Sequence, residues 1–242
     1  MILIGNIILT ELPVCIIAGC GPGLGASLCK KYHSHGYHVV AVGRHKPTLL
    51  NITKGMENVT ICICDLTVLS SVKELVRTVV QSLGVPSILI YNAGQGLKGS
   101  VLEASRDDFD LCYSTNVLGL FNISQELIPY MKSENQGCIL VSGATASLRG
   151  SADFAAFCAA KSAQRSLVQS LCRAHSTDNI HIAYIIIDGI IDSKRTREYF
   201  QNKPDQFFIK PEKICESYFY LTKQHPSCWT QELDLRTSGE EF

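Results

Sequence analysis

Short, unbroken apolar runs alternate with longer helical patterns along this chain, and that alternation limits the fold more than any other feature. The runs are VCIIAG at 14–19, HVVAVG at 38–43, VTICICD at 59–65, SILIYNAG at 87–94, GCILVSG at 137–143 and HIAYIIIDG at 181–189. Each is short for a helix and lacks a polar face, as expected of a strand buried on both sides. Between them lie helical patterns over about 24–36, 70–83, 116–131 and 152–175, the first closed by Gly36. Strand–helix alternation predicts a parallel, doubly wound α/β sheet of the Rossmann type. About seven strands are expected, with helices on both faces. The chain has 242 residues and no linker, repeat or low-complexity stretch, so residues 12–242 are expected to form one domain.

Charge removes some classes of partner. Lys+Arg and Asp+Glu both number 22, with no basic stripe, which argues against binding nucleic acid through its phosphates. Residues 1–11 are apolar up to Glu11 but have no basic region or cleavage site, and the apolar stretch is short for a membrane span. They are expected to form an arm outside the fold. The 11 cysteines are scattered without a CxxC pair, so most read as small core residues in a reducing compartment, and the chain as cytoplasmic. His33, His35 and His38 straddle a predicted helix end and strand start and do not read as a metal site. The N-x-S/T triplets at Asn51, Asn58 and Asn122 read as accidents of composition.

The first βα unit carries GCGPGLG. Gly19, Gly23 and Gly25 follow the first strand and open the first helix, where glycines permit a tight turn and close approach of a pyrophosphate to the helix N-terminus. A carboxylate near the end of the second strand would suit a free ribose 2′-hydroxyl. Residues 38–48 have none, and Arg44 directly follows the strand, placed to pair with a 2′-phosphate. The expected cofactor is therefore NADP(H) in preference to NAD(H).

Further motifs fall in order: CDLT at 64–67, YNAG at 91–94, STNV at 114–117, FCAAK at 157–161 and DGIIDS at 188–193. With the glycine turn they resemble the short-chain dehydrogenase/reductase family over residues 13–236. The resemblance implies cofactor contacts from Gly19, Cys20, Gly23, Leu24 and Gly25 in the turn, and from Asp65 and Leu66 after the third strand. It implies further contacts from Asn92, Ala93 and Gly94, from Lys161, and from Gly189 and Ile191. Tyr91 stands for a common Asn, Asp188 for Pro and Ser193 for Thr. It also implies an active site at Asn116 and Lys161.

Two further departures from the family are serious. Phe157 stands where a tyrosine is usual, and Ala144 where a serine is usual. Ser142, two residues upstream on the same strand face, is the nearest candidate hydroxyl, and Thr145 is a neighbour. FCAAK with GATASLRG and WTQELDLR resembles a subgroup of the family that also carries Phe there. In the resembling enzymes the tyrosine protonates the substrate oxygen, the lysine binds the nicotinamide ribose, the asparagine positions a water and the serine holds the oxygen. Cofactor binding is expected to survive and ordinary proton donation to be lost. Lys161, a water on Asn116 or Ser142 is left to supply the proton. Two functions follow: an NADP-dependent oxidoreductase with an atypical site, acting on a small carbonyl, alcohol or enone, or a catalytically silent NADP-binding sensor, scaffold or partner subunit. Residues 190–210 are expected to cover the pocket. Apolar residues lie on more than one face of two helices: Val117, Leu118, Leu120, Phe121 and Ile123, and Phe154, Leu167, Val168 and Leu171. They suggest a homodimer or homotetramer, and in resembling proteins these helices form a dimer interface.

Overall fold

The computed structural model describes residues 11–239; the rest of the apolar N-terminal stretch lies outside the described residues. The elements in chain order are β1 (Val14–Ala18), α1 (Leu24–Ser34), β2 (His38–Gly43), α2 (Lys46–Ile52), β3 (Val59–Ile63), α3 (Leu69–Leu83) and β4 (Ile88–Tyr91). The second half adds α4 (Arg106–Tyr113), α5 (Gly119–Ser133), β5 (Gly137–Ser142), α6 (Ala155–His175) and β6 (Ile180–Asp188). Then come β7 (Ile190–Ile191), α7 (Lys194–Tyr199), β8 (Phe208–Ile209), α8 (Pro211–Leu221) and β9 (Glu232–Arg236). Seven strands form one parallel sheet in the order β3-β2-β1-β4-β5-β6-β9.

The unbroken apolar runs have a direct structural cause. Successive strand residues point to opposite faces, and both faces are covered. Val14, Ile16 and Ala18 of β1 enter one core with side chains of α3, α5 and α6. Cys15 and Ile17 enter the other, with side chains of α1 and α8. Nine of the eleven cysteines are buried; Cys172 is half-buried and Cys228 exposed. The His38 ring bonds Thr60, with Nε2 2.8 Å from Oγ1.

Strand order reverses between β1 and β4. Ligands of open α/β sheets bind in the crevice beyond the carboxyl ends of the strands at such a reversal. Those ends here carry the glycine turn after β1, Asn92-Ala93-Gly94 after β4 and Gly143-Ala144-Thr145 after β5.

Some elements differ from the sequence reading. The helix expected over 116–131 is preceded by α4, started by a Ser105–Asp108 capping box. A π-helical turn over Ser114–Leu118 joins α4 to α5. Helix α6 starts three residues later than expected, because Phe154 bridges to Gly99 instead. Segment 190–210 holds β7, α7 and β8. Among the described residues no helix is long and apolar enough to cross a membrane.

Candidate active site

The glycine turn is fixed from two sides. The amides of Gly19 and Cys20 both donate to the Val42 carbonyl, at 3.0 and 2.8 Å. Gly19 has φ +93°, and a Cβ there would lie 2.3 Å from the Ala93 nitrogen. A Cβ on Gly25 would lie 2.8 Å from the Gly19 carbonyl oxygen. Gly23, also at positive φ, precedes α1, whose N-terminus has no side-chain cap and no acidic residue in its first turn. Backbone N–H groups there are left to meet an anion. Leu24 faces the adjoining cavity. Cys20 turns inward, its Sγ 3.1 Å from that of Cys29.

Asn92 joins three strand ends. Its backbone N–H donates to the Ala18 carbonyl at 2.7 Å, and its Nδ2 donates to the Gly19 carbonyl at 3.0 Å. Its Oδ1 accepts the Ser142 hydroxyl at 2.8 Å, and Ser142 Oγ lies 2.8 Å from the Tyr218 hydroxyl of α8. Ser142 thus has its hydroxyl between Asn92 and Tyr218, and only its carbonyl reaches Lys161. Thr145 is likewise engaged, donating to the Asp188 carboxylate, which pairs with Arg236 at 2.7 Å. Ala144 lines the cavity without a hydroxyl.

Asn116 sits in the π-helical turn, fully buried. Tyr91 helps to hold that turn by donating its hydroxyl to the Thr115 carbonyl at 2.5 Å. Asn116 Nδ2 donates to the carbonyls of Cys112 at 2.8 Å and Gln95 at 2.9 Å, while Oδ1 has no hydrogen-bond partner in the structure. A Cβ on Gly94 would lie 3.3 Å from that Oδ1 and 3.7 Å from Lys161 Nζ, so the absence of a side chain at Gly94 opens space beside both.

Lys161 is 5 % exposed, and its Nζ donates to the Ser142 carbonyl at 2.8 Å and to Gln164 Oε1 at 2.9 Å. Burial pushes the amine down to about 7. Phe157 lies one turn earlier in α6, its ring centroid 5.9 Å from Nζ.

Lys161 and Phe157 face a cavity of about 530 Å³, lined by Phe154, Cys158, Ala146, Ile187 and Ile190 among others, with Asn92 and Ser142 also in its wall and Asn116 buried behind Gly94. Gly189 and Ile191 line the same cavity. Segment 190–210 is held by a box of four charges. Arg197 bonds Asp192 at 2.7 and 2.8 Å and Asp205 at 2.6 Å, and Lys210 reaches Asp192 at 2.8 Å and Asp205 at 3.0 Å.

At the far side, Arg44 is exposed just after β2. Burial raises the Asp65 carboxyl, but hydrogen bonds from Thr67 together with the Arg44 charge outweigh it and hold the group below the usual range. Leu66 is buried, and its carbonyl accepts from Asn122 at 3.1 Å. The structure therefore brings Asn116, Lys161 and Phe157 together with the strand-end motifs, and the Ser142 hydroxyl is engaged by Asn92 and Tyr218 while its carbonyl accepts from Lys161. Sequence reading missed Gln164, although its spacing of three from Lys161 on a helix places the two side chains within reach.

The strand order, the reversal at β1/β4 and the glycine turn define a Rossmann-type α/β protein. The family model described as short chain dehydrogenase matches residues 13–204, and the chain belongs to that family. It is 30 % identical over 207 residues to the NADPH-dependent pterin aldehyde reductase of Arabidopsis thaliana, covering 81 % of this chain and 84 % of that one. It is 23 % identical over 232 residues to the 3-oxoacyl-[acyl-carrier-protein] reductase FabG of Thermotoga maritima, covering 91 % and 94 %. Among solved structures, a Tyr-to-Phe variant of ElxO with NADPH bound superposes with a TM-score of 0.85 at 19 % identity, covering 93 % of this chain and 97 % of that one. The apo short chain oxidoreductase from Pseudomonas aeruginosa, described as containing an atypical catalytic center, gives 0.84 at 16 % identity, covering 95 % and 98 %.

Proposed function

We propose that this chain is an NADP(H)-dependent oxidoreductase that moves hydride to or from a small carbonyl, alcohol or enone, in a site where Phe157 and Ala144 replace the usual hydroxyls. The observation that carries the reading is one cluster: Lys161 and Gly94 at the wall of a largely apolar cavity, with Asn116 next to both. The residues fit a dinucleotide. Gly19 and Gly25 let the turn close tightly on the β4 end and on itself, Gly94 leaves space beside Asn116 and Lys161, α1 starts uncapped, and the orphaned Asn116 Oδ1 lacks a donor. Bound NADP(H) would supply the hydride chemistry. The NADPH dependence of the Arabidopsis relative supports the same reading.

The residues divide the work as follows. Gly19, Cys20, Gly23, Leu24 and Gly25 take the pyrophosphate. Arg44 takes a 2′-phosphate, which favours NADP(H) over NAD(H). Asp65 and Leu66 border the adenine, while Asn92, Ala93, Gly94, Gly189 and Ile191 border the remainder. Lys161 holds the nicotinamide ribose and carries the proton. Of the donors left without a tyrosine, the Ser142 hydroxyl is committed to Asn92, and Asn116 Oδ1 only accepts. Lys161 has two donors engaged and a third N–H without an assigned protein partner. Substrates whose developing charge is spread, as in a conjugated C=C bond, suit this site better than simple ketones, whose oxygen needs a donor at hand.

The test has two parts. Isothermal titration should give tighter binding of NADPH than NADH, and a screen of enones, aldehydes, ketones and alcohols should show cofactor turnover with at least one enone. NADPH binding without turnover of any substrate would favour the silent binder.

A further inference from the structure

Gln164 of α6 is fully buried, and both ends of its amide are engaged. Its Oε1 accepts from Lys161 Nζ at 2.9 Å, and its Nε2 donates to the Asn116 backbone carbonyl at 2.7 Å. One side chain therefore bridges the two polar residues of the site. This pattern also fixes which way the amide points, because an ammonium only donates and a carbonyl only accepts. The Tyr184 hydroxyl of β6 approaches the same Oε1 at 3.4 Å.

We infer that Gln164 is a positioning residue: its amide sets the Lys161 amine against Asn116 and blocks that side of the amine from solvent, so that Lys161 exchanges its proton only through the substrate cavity. The inference rests on Lys161 carrying the proton. An amide donates and accepts hydrogen bonds but does not pass a proton on at ordinary pH. With Gln164 on one side and the Ser142 carbonyl on another, the remaining N–H is the exchangeable one. Around Nζ lie the Ser142 carbonyl from β5, the Phe157 ring from α6 itself and Asn116 across Gly94, with the Tyr184 hydroxyl of β6 behind Gln164 Oε1. None of them is charged at neutral pH. A carboxylate introduced at position 164 would therefore be the first charge beside the amine.

The experiment follows Lys161 itself, by NMR on protein labelled with ¹³C at lysine Cε, with its signal assigned from Lys161→Arg. Gln164→Glu keeps the shape and adds a carboxylate, and should move the Lys161 titration up by about 1–3 pH units. Gln164→Met keeps the length but removes the acceptor. It should move the titration down and weaken NADPH binding several-fold. A side chain that merely packs would change melting temperature without moving either titration, and unchanged titrations in both variants would overturn the inference. If the unmodified protein bound no NADPH, the proposed function would fail while the titrations still reported on the bridge.

Discussion

The Lys161 amine lies 5.9 Å from the centroid of the Phe157 ring, so an aromatic side chain without a hydroxyl packs beside the buried lysine. The ring fills the space without offering a proton. Its edge is packed against Gly96, where a Cβ would lie 3.5 Å from a ring carbon. Under the proposed function, Phe157→Tyr therefore adds one hydroxyl beside Lys161.

The proposed preference for NADP(H) rests on Arg44, which follows β2 in a stretch, residues 38–48, that has no carboxylate. Arg44→Ala should weaken NADPH binding by about tenfold or more and leave NADH nearly unchanged, since a charge-assisted contact contributes roughly 1.5–3 kcal/mol. Parallel calorimetric titrations check this. Equal losses for both cofactors would assign Arg44 a structural role.

Burial lowers the Lys161 amine to about 7. In the unfolded chain it returns to about 10.4. Between these values the unfolded chain binds the extra proton, so stability should rise with pH across that window. Melting temperatures of the cofactor-free protein and of Lys161→Met, followed from about pH 6 to 10, isolate the effect. The difference between them should shift in favour of the unmodified protein as pH rises. Turnover limited by proton donation should run the opposite way and fall above about pH 7. A flat stability difference would contradict the depressed amine.

Segment 190–210, proposed to cover the cavity that Ile190 and Ile191 line, is held by charge. Hydrogen bonds from Arg197, then from Lys210, outweigh burial and hold the Asp192 carboxyl well below the usual range. Its contribution is therefore present above the ordinary carboxylate range and is lost only as pH falls below it. Asp192→Ala should loosen residues 190–210, raise KM several-fold and speed chymotrypsin cleavage near Tyr199 and Phe200. High salt should narrow the difference from the unmodified protein by screening the Asp192 pairs that the variant lacks.

The expected self-association needs a different face from the one read off α6. Val168 is in the core, Leu167 and Leu171 pack against it, and Phe154 lines the cavity. The outward apolar face lies instead on α4, α5 and the turn between them. There Phe109, Tyr113, Leu118 and Phe121 are 40, 38, 45 and 46 % exposed, with Phe109 and Tyr113 stacked at 6.5 Å. Light scattering should give a dimer or tetramer, and Phe121→Asp should give a monomer that still binds NADPH. A monomer without the substitution would remove this expectation.

The glycine turn and six of the seven main strands were legible in the sequence because buried parallel strands leave continuous apolar runs. Strand β9 was hidden because charged residues break its short run, ELDLR, so it leaves no continuous apolar stretch. Helix α4 was hidden because Phe109, Leu111 and Tyr113 point outward, leaving no clean apolar stripe, although its Ser105–Asp108 start was present to be read. The positions of Lys161, Asn116 and Phe157 followed from motif order. The Ser142 hydroxyl did not, because its partners come from the β4 end and from α8, and no local pattern couples residues 92, 142 and 218.

The most direct measurement is the rate of NADPH oxidation by the unmodified protein and by Phe157→Tyr, each with a simple aldehyde or ketone and with an enone. The restored phenol should raise the rate on the simple carbonyl by about 10²–10⁴, more with Ala144→Ser added, while NADPH affinity stays level. The enone rate should change far less. Ordinary ketone reduction by the unmodified protein, with no gain from the tyrosine, would show that another residue supplies the proton.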